Sequence, residues 1–138
     1  MQPPPPVLTG QGPVLATVSA GGALGSLARW GTGLALPTPA GGIPWTILWI
    51  NVVGCLLIGV LIAVVQLRHP HPLVRPFLGT GVLGGFTTFS AYAVDGAVLL
   101  RDGRVGAAAA YLAGTLAAAL AAAWIGLALT RRALAARS

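Results

Sequence analysis

Four apolar runs, at about residues 14–35, 45–67, 77–100 and 105–129, occupy most of this 138-residue chain. Crossing the hydrocarbon core of a bilayer as a helix takes about 20 residues, and each run is long enough. Lipid offers backbone amides and carbonyls no partners, so runs of this kind are confined to helices. The punctuation between them is equally plain. "LPTPAGGIP" puts three prolines and two glycines after the first run, "RHPHPLVRP" ends the second, and "RDGR" turns the third into the fourth. The pattern predicts an all-α membrane protein of four helices in a small bundle. So thin a bundle has little interior of its own, which predicts an oligomer.

The charges fit a membrane reading. Eight arginines, no lysine, two aspartates and no glutamate give a net charge of +6. A nucleic-acid partner would need a basic patch on a soluble face. Here the arginines flank or separate the apolar runs, where positive charge orients membrane segments. No nucleic acid is expected. The lone Cys55 lies within an apolar run, so no internal disulfide can form and it reads as a small buried hydrophobe. Residues 1–13, with four consecutive prolines, predict an extended, disordered arm and lack the basic start of a cleaved signal. Residues 14–132 form the four-helix subunit, and 133–138 a short basic tail.

Polar side chains inside a span are costly and face a protein interior or a water-filled path. The candidates among them are Arg29, Asn51, Thr87, Thr88, Ser90, Asp95, Tyr111 and Thr115. Serine and threonine can satisfy themselves on the preceding helical turn. Asn51 carries more donors and acceptors than a lipid-facing position can use, and it reads either as glue between helices or as a pathway group. Arg29 either snorkels to the interface or holds positive potential at the mouth of an anion path. Asp95 lies near the end of the third run, where a solvated or arginine-paired carboxylate is the expected reading. His69 and His71 sit in a proline-rich loop and make a poor metal site by themselves.

The least helical part of the chain is "GTGVLGGFTTFSAY", residues 79–92, inside the third run. Its four glycines weaken a helix, and Thr87 and Thr88 offer hydroxyls to freed backbone groups. Interrupted backbone at membrane depth is tolerated only where protein or a cavity covers it. Its carbonyl oxygens could then hold a hard cation such as Na⁺. Phe89 and Tyr92, three apart, share a helical face, and the positive edges of their rings can meet a small anion without a full charge. No nucleophile–base pair or phosphate-cradling loop is present, so an enzyme is not expected. A small drug or cation transporter would need a carboxylate deep in the membrane, which is missing. A non-conducting assembly subunit leaves the polar stretch unexplained.

At these residues the chain resembles the Fluc (CrcB) family of fluoride channels. "GGALGSLARW" at 21–30 is similar to the family's first-helix pattern, and "WTILWINVVGCLLIG" at 45–59 to its second-helix pattern. "GGFTTFSAY" at 84–92 resembles its third-helix signature. The resemblance implies four-helix subunits with a broken third helix, paired as an antiparallel dual-topology dimer in a prokaryotic plasma membrane. It implies passive export of fluoride and a structural Na⁺ at the dimer centre. By position, the Na⁺ carbonyls would belong to Gly84 and Thr87. The fluoride pathway would use Asn51, Phe89, Ser90, Tyr92, Tyr111 and Thr115, with Arg29 in the vestibule. Tyr92, Ala91, Thr46 and Ile47 depart from the family pattern, and Ala119 stands where a hydroxyl might continue the polar track. Two expectations follow: one of the two pathways in an assembly is crippled, or the track is rerouted through the Tyr92 hydroxyl.

Arginine placement bears on the partner. With four spans, Arg68, Arg75, Arg131, Arg132 and Arg137 share the side of the termini, and Arg101 and Arg104 lie opposite, joined by Arg29 if it snorkels there. A homodimer in both orientations is the first expectation. Pairing with an oppositely oriented paralogue is the other.

Overall fold

The computed structural model describes residues 10–39 and 41–136. Its elements are α1 (Gly12–Ala35), α2 (Trp45–Arg68), a π-helical segment (Arg75–Leu83), the single turn α3 (Gly84–Phe86), α4 (Phe89–Arg101) and α5 (Val105–Ala135). Each apolar run of the sequence falls on helix, the third with a break at Thr87 and Thr88. Helix α1 begins at Gly12, inside the stretch expected to be an arm, because Pro13 presets the first helical turn. Helix α5 continues to Ala135, since "RRALA" consists of strong helix formers. The rest of the arm, 1–9, and the last two residues lie outside the described residues.

Among the described residues, three stretches are long and apolar enough to cross a membrane: Trp45–Arg68, Arg75–Arg101 and Val105–Ala135. Helix α1 matches α2 at 24 residues, but glycine, serine, threonine and Arg29 dilute its apolar content. The chain is a multi-pass membrane protein. Its outer surface agrees, for large apolar side chains such as Trp30, Trp49, Leu57, Leu120 and Trp124 point outward.

Packing divides into two halves. Helix α1 lies on the π-helical segment and α3, while α2 lies on α5, which also carries α4. The first contact depends on glycine. A Cβ on Gly21 would sit 3.0 Å from the Gly81 Cα, and one on Gly81 would sit 2.9 Å from the Gly21 Cα. Backbones this close leave no room for a side chain. Small residues do not mark a contact everywhere: Ala110 and Gly114 of α5, one turn apart, face outward, and a Cβ on Gly114 would meet nothing within 4 Å.

One buried apolar cluster is formed by Leu99, Ala108 and Tyr111, with Ile43, Leu48, Tyr92 and Leu112 packed against them; Ile50, Ala63, Leu83 and Ala122 are buried elsewhere along the helices. The loop after α1 is tied down at two points near that cluster. The Thr46 hydroxyl donates to the Leu36 carbonyl, and the Arg104 guanidinium donates to the Gly41 carbonyl. Thr46, one of the departures from the family pattern, therefore holds the chain where it leaves α1. Gly103, at φ 73°, makes the left-handed turn that ends α4.

Candidate anion site at the helix interruption

Between α3 and α4 the backbone straightens. Thr87 (φ -75°, ψ 157°) and Thr88 (φ -147°, ψ 124°) are both extended. A continuous helix would give the Thr88 N–H to the Gly84 carbonyl. Here it donates to Asn51 Oδ1 at 2.9 Å, and Asn51 Nδ2 donates back to the Thr88 carbonyl at 3.0 Å. The amide side chain thus replaces the partners that the interruption removes. Among the described residues one N–H of the Asn51 amide stays uncommitted, since an amide nitrogen carries two.

The threonines secure the two helix ends. Thr87 donates its hydroxyl to the Leu83 carbonyl at 2.8 Å, closing the turn before the interruption. Its methyl rests on Gly54 of α2, where a Cβ would overlap it. Thr88 caps α4, its Oγ1 accepting from the Ala91 N–H at 3.1 Å. Ser90 Oγ lies 3.3 Å from the same oxygen.

Beside this junction lies a cavity of about 300 Å³. Asn51 reaches it from α2, Thr87 and Thr88 from the interruption, Phe89 and Tyr92 from α4, and Thr115 and Ala119 from α5. None of its lining residues is charged. What it offers a solute is an amide, hydroxyls and ring edges. The rings are ordered in a row. Phe89 and Tyr92 have centroids 5.8 Å apart and tilted by 48°, and Tyr92 and Tyr111 stand 5.6 Å apart at 41°. Phe89 is 80% exposed, so it stands at the outer rim rather than in a core. Thr115 is only 3% exposed, and its Oγ1 is buried with no hydrogen-bond partner among the described residues. A buried hydroxyl without a partner is costly, and a bound solute could relieve it.

The structure gathers some of the predicted site residues and separates others. Asn51, Thr87, Phe89, Tyr92 and Thr115 share the cavity. Ser90 is exposed and turned to Thr88, outside the lining. Tyr111 is buried behind Tyr92, and its hydroxyl donates to Asp95 Oδ2 at 3.4 Å. Asp95 is therefore engaged by a tyrosine, where a solvated or arginine-paired carboxylate was expected. The Tyr92 hydroxyl does not extend the polar track, because it donates to the Leu112 carbonyl at 2.8 Å. Arg29 stands on α1, apart from the cavity lining, with its Nε buried and without a partner among the described residues. Gly84 is exposed, and its carbonyl is freed where Thr88 turns to Asn51.

Cys55, expected only as a small buried hydrophobe, and Leu116, which carried no expectation, also line the cavity. Cys55 follows Asn51 by one helical turn, so spacing alone could have placed it on the same face.

Known proteins resemble the chain along most of its length. The family described as CrcB-like protein, Camphor Resistance (CrcB), matches residues 16–127. "Fluoride-specific ion channel FluC 1" of Streptomyces coelicolor is 54% identical over 125 residues, covering 90% of this chain and 81% of the relative. "Fluoride-specific ion channel FluC 2" of Streptomyces avermitilis is 56% identical over 108 residues, covering 78% of this chain and 68% of the relative. "Fluoride-specific ion channel FluC" of Rhodospirillum centenum is 43% identical over 124 residues, covering 88% of this chain and 98% of the relative. With the family's match extending from α1 into α5 and through the interruption, the chain belongs to the CrcB family.

Proposed function

We infer that the chain is a fluoride-selective ion channel that lets fluoride leave the cell passively across the prokaryotic plasma membrane, lowering its toxicity in the cytoplasm. The observation that carries this reading is the uncharged cavity at the interruption, lined by the Phe89 and Tyr92 rings, the Asn51 amide and Thr115, whose buried hydroxyl has no partner among the described residues. Such a donor set binds a small, strongly hydrated anion weakly enough to release it. The names of the relatives support fluoride as that anion. Four helices cross the membrane in this reading, α1 included, its polar content covered by the π-helical segment.

Two subunits pair antiparallel around the exposed rim, which would cover Phe89. Na⁺ would be held by the carbonyls of Gly84 and Thr87, and a second copy would double the donors. The residues suit it: the Gly84 carbonyl has lost its helical donor to Asn51, Thr87 is extended, and neutral oxygens are ligands for a hard cation. The bound ion would supply fixed positive charge near an anion path. A homodimer is the first form. Pairing with an oppositely oriented paralogue is the second, favoured by the uneven arginines and by the names FluC 2 and FluC 3 among relatives from one organism, Streptomyces avermitilis. Fluoride efflux from liposomes containing the purified protein tests the function directly.

A further inference from the structure

We propose that the groove between α2 and the π-helical segment binds an anionic phospholipid, with its acyl chain in the groove and its phosphate on arginine. The groove has a volume of about 370 Å³ and does not touch the anion cavity's lining. Ile58, Leu61, Ile62 and Val65 form its wall. Their spacing puts them on one face of α2, an apolar track running along the membrane normal.

The track ends on polar groups. Gln66 and Arg75 close it where α2 and the π-helical segment approach the membrane surface. Arg131 of α5 donates to Gln66 Oε1 at 2.6 Å, which brings a second guanidinium to the same mouth. Arg75 is exposed and has no hydrogen-bond or ion-pair partner among the described residues. Arg68 and Arg132 lie at this end too, as the last turns of α2 and α5. The chain's two side-chain carboxylates, Asp95 and Asp102, are on α4 and its C-cap, toward the other end. Positive charge here has no protein counter-charge among the described residues.

The two halves of the site select one ligand together. Guanidinium groups match the geometry of a phosphate oxygen pair. Arginine at a membrane surface attracts anionic headgroups. The apolar track gives nothing to a soluble anion, and the arginines gain little from a zwitterionic headgroup whose charge is already balanced. A phosphodiester with a hydrocarbon tail uses both.

Native mass spectrometry of the purified protein in detergent can read this. Phosphatidylglycerol and phosphatidylcholine with identical acyl chains are titrated separately. The expected result is retention of phosphatidylglycerol at concentrations where phosphatidylcholine is lost. Arg75→Gln weakens that retention about five-fold, the effect of one arginine near an anionic surface. Arg75→Lys preserves most of it, Ile62→Trp weakens it by filling the track, and Arg101→Gln at the opposite end leaves it unchanged. Soluble glycerol phosphate in excess does not displace the lipid. Equal retention of the two lipids, no retention of phosphatidylglycerol, or displacement by glycerol phosphate would each overturn the proposal. So would an Arg75→Gln protein that behaves like Arg101→Gln. If Arg75→Gln does not fold, Ile62→Trp and Arg131→Gln carry the same comparison.

Discussion

Asn51 and Thr88 are joined by a reciprocal pair of hydrogen bonds, 2.9 Å from the Thr88 N–H to Oδ1 and 3.0 Å from Nδ2 to the Thr88 carbonyl. A side-chain amide has the donor and acceptor of a peptide group, so it can take the place of a missing helical turn. The pairing fixes the interruption to α2 and brings Phe89 to the cavity rim. Asn51 is thereby a structural bridge as well as a lining residue.

Replacing Asn51 by alanine leaves both backbone groups of Thr88 without partners. Each buried unsatisfied group costs about 1–3 kcal/mol, so Asn51→Ala is expected to destabilise the protein by at least about 2 kcal/mol and to abolish fluoride flux. Thermal unfolding in detergent checks the first part and liposome efflux the second. A variant that melts with the wild type would show that the bridge does not matter.

Thr115 gives the opposite combination. Thr115→Val keeps the shape and removes a buried hydroxyl that has no partner among the described residues, so stability is expected to hold or rise by about 1 kcal/mol. Fluoride flux is nevertheless expected to fall about ten-fold, the loss of one such hydrogen bond from a pathway. Thr115→Ser is expected to conduct. Unchanged flux in the valine variant would remove Thr115 from the pathway.

The Tyr92 hydroxyl is committed to the Leu112 carbonyl, so its loss touches the link between α4 and α5 and not the cavity. Tyr92→Phe is expected to lose about 1 kcal/mol of stability while keeping its flux, and Tyr92→Leu to lose flux with the ring edge. Parallel melts and efflux assays on the two variants distinguish the roles. Loss of conduction in the phenylalanine variant would return the hydroxyl to the path.

A methyl added at Gly54 collides with the methyl of Thr87. Overpacking of this kind costs about 1–3 kcal/mol, so Gly54→Ala is expected to destabilise the interruption and lower flux. Thr87→Ser removes the colliding methyl and keeps the hydroxyl that bonds Leu83. The double variant is therefore expected to recover stability and flux together. Additive losses in a double-mutant cycle would show that the two sites are not in contact.

Four helices were legible, and three of them as spans, because lipid permits one backbone solution to a run of about 20 apolar residues. Phe89 and Tyr92 were legible as a pair, since three-residue spacing aligns them on any helix. Asn51 stood out as a polar group in a span, but its partner did not. Thr88 lies 37 residues away, and no local pattern specifies that contact. Tyr111 was expected on the polar track, yet it faces Asp95, because the rotation of α5 is set by packing against α2 and α4. The glycines between 79 and 85 signalled a weak helix without revealing the wide π turns, nor that Gly81 would lie backbone to backbone against Gly21, 60 residues earlier.

Selective fluoride conduction by this chain is the central claim, and ion-selective electrodes on one set of liposomes measure it most directly. Vesicles containing the purified protein are loaded with fluoride or chloride and opened to potassium by an ionophore. Fluoride is expected to leave rapidly while chloride stays, and Phe89→Ile is expected to hold fluoride back by removing the rim ring. Equal release of both anions, or retention of fluoride by the wild-type chain both alone and with an oppositely oriented paralogue, would contradict it.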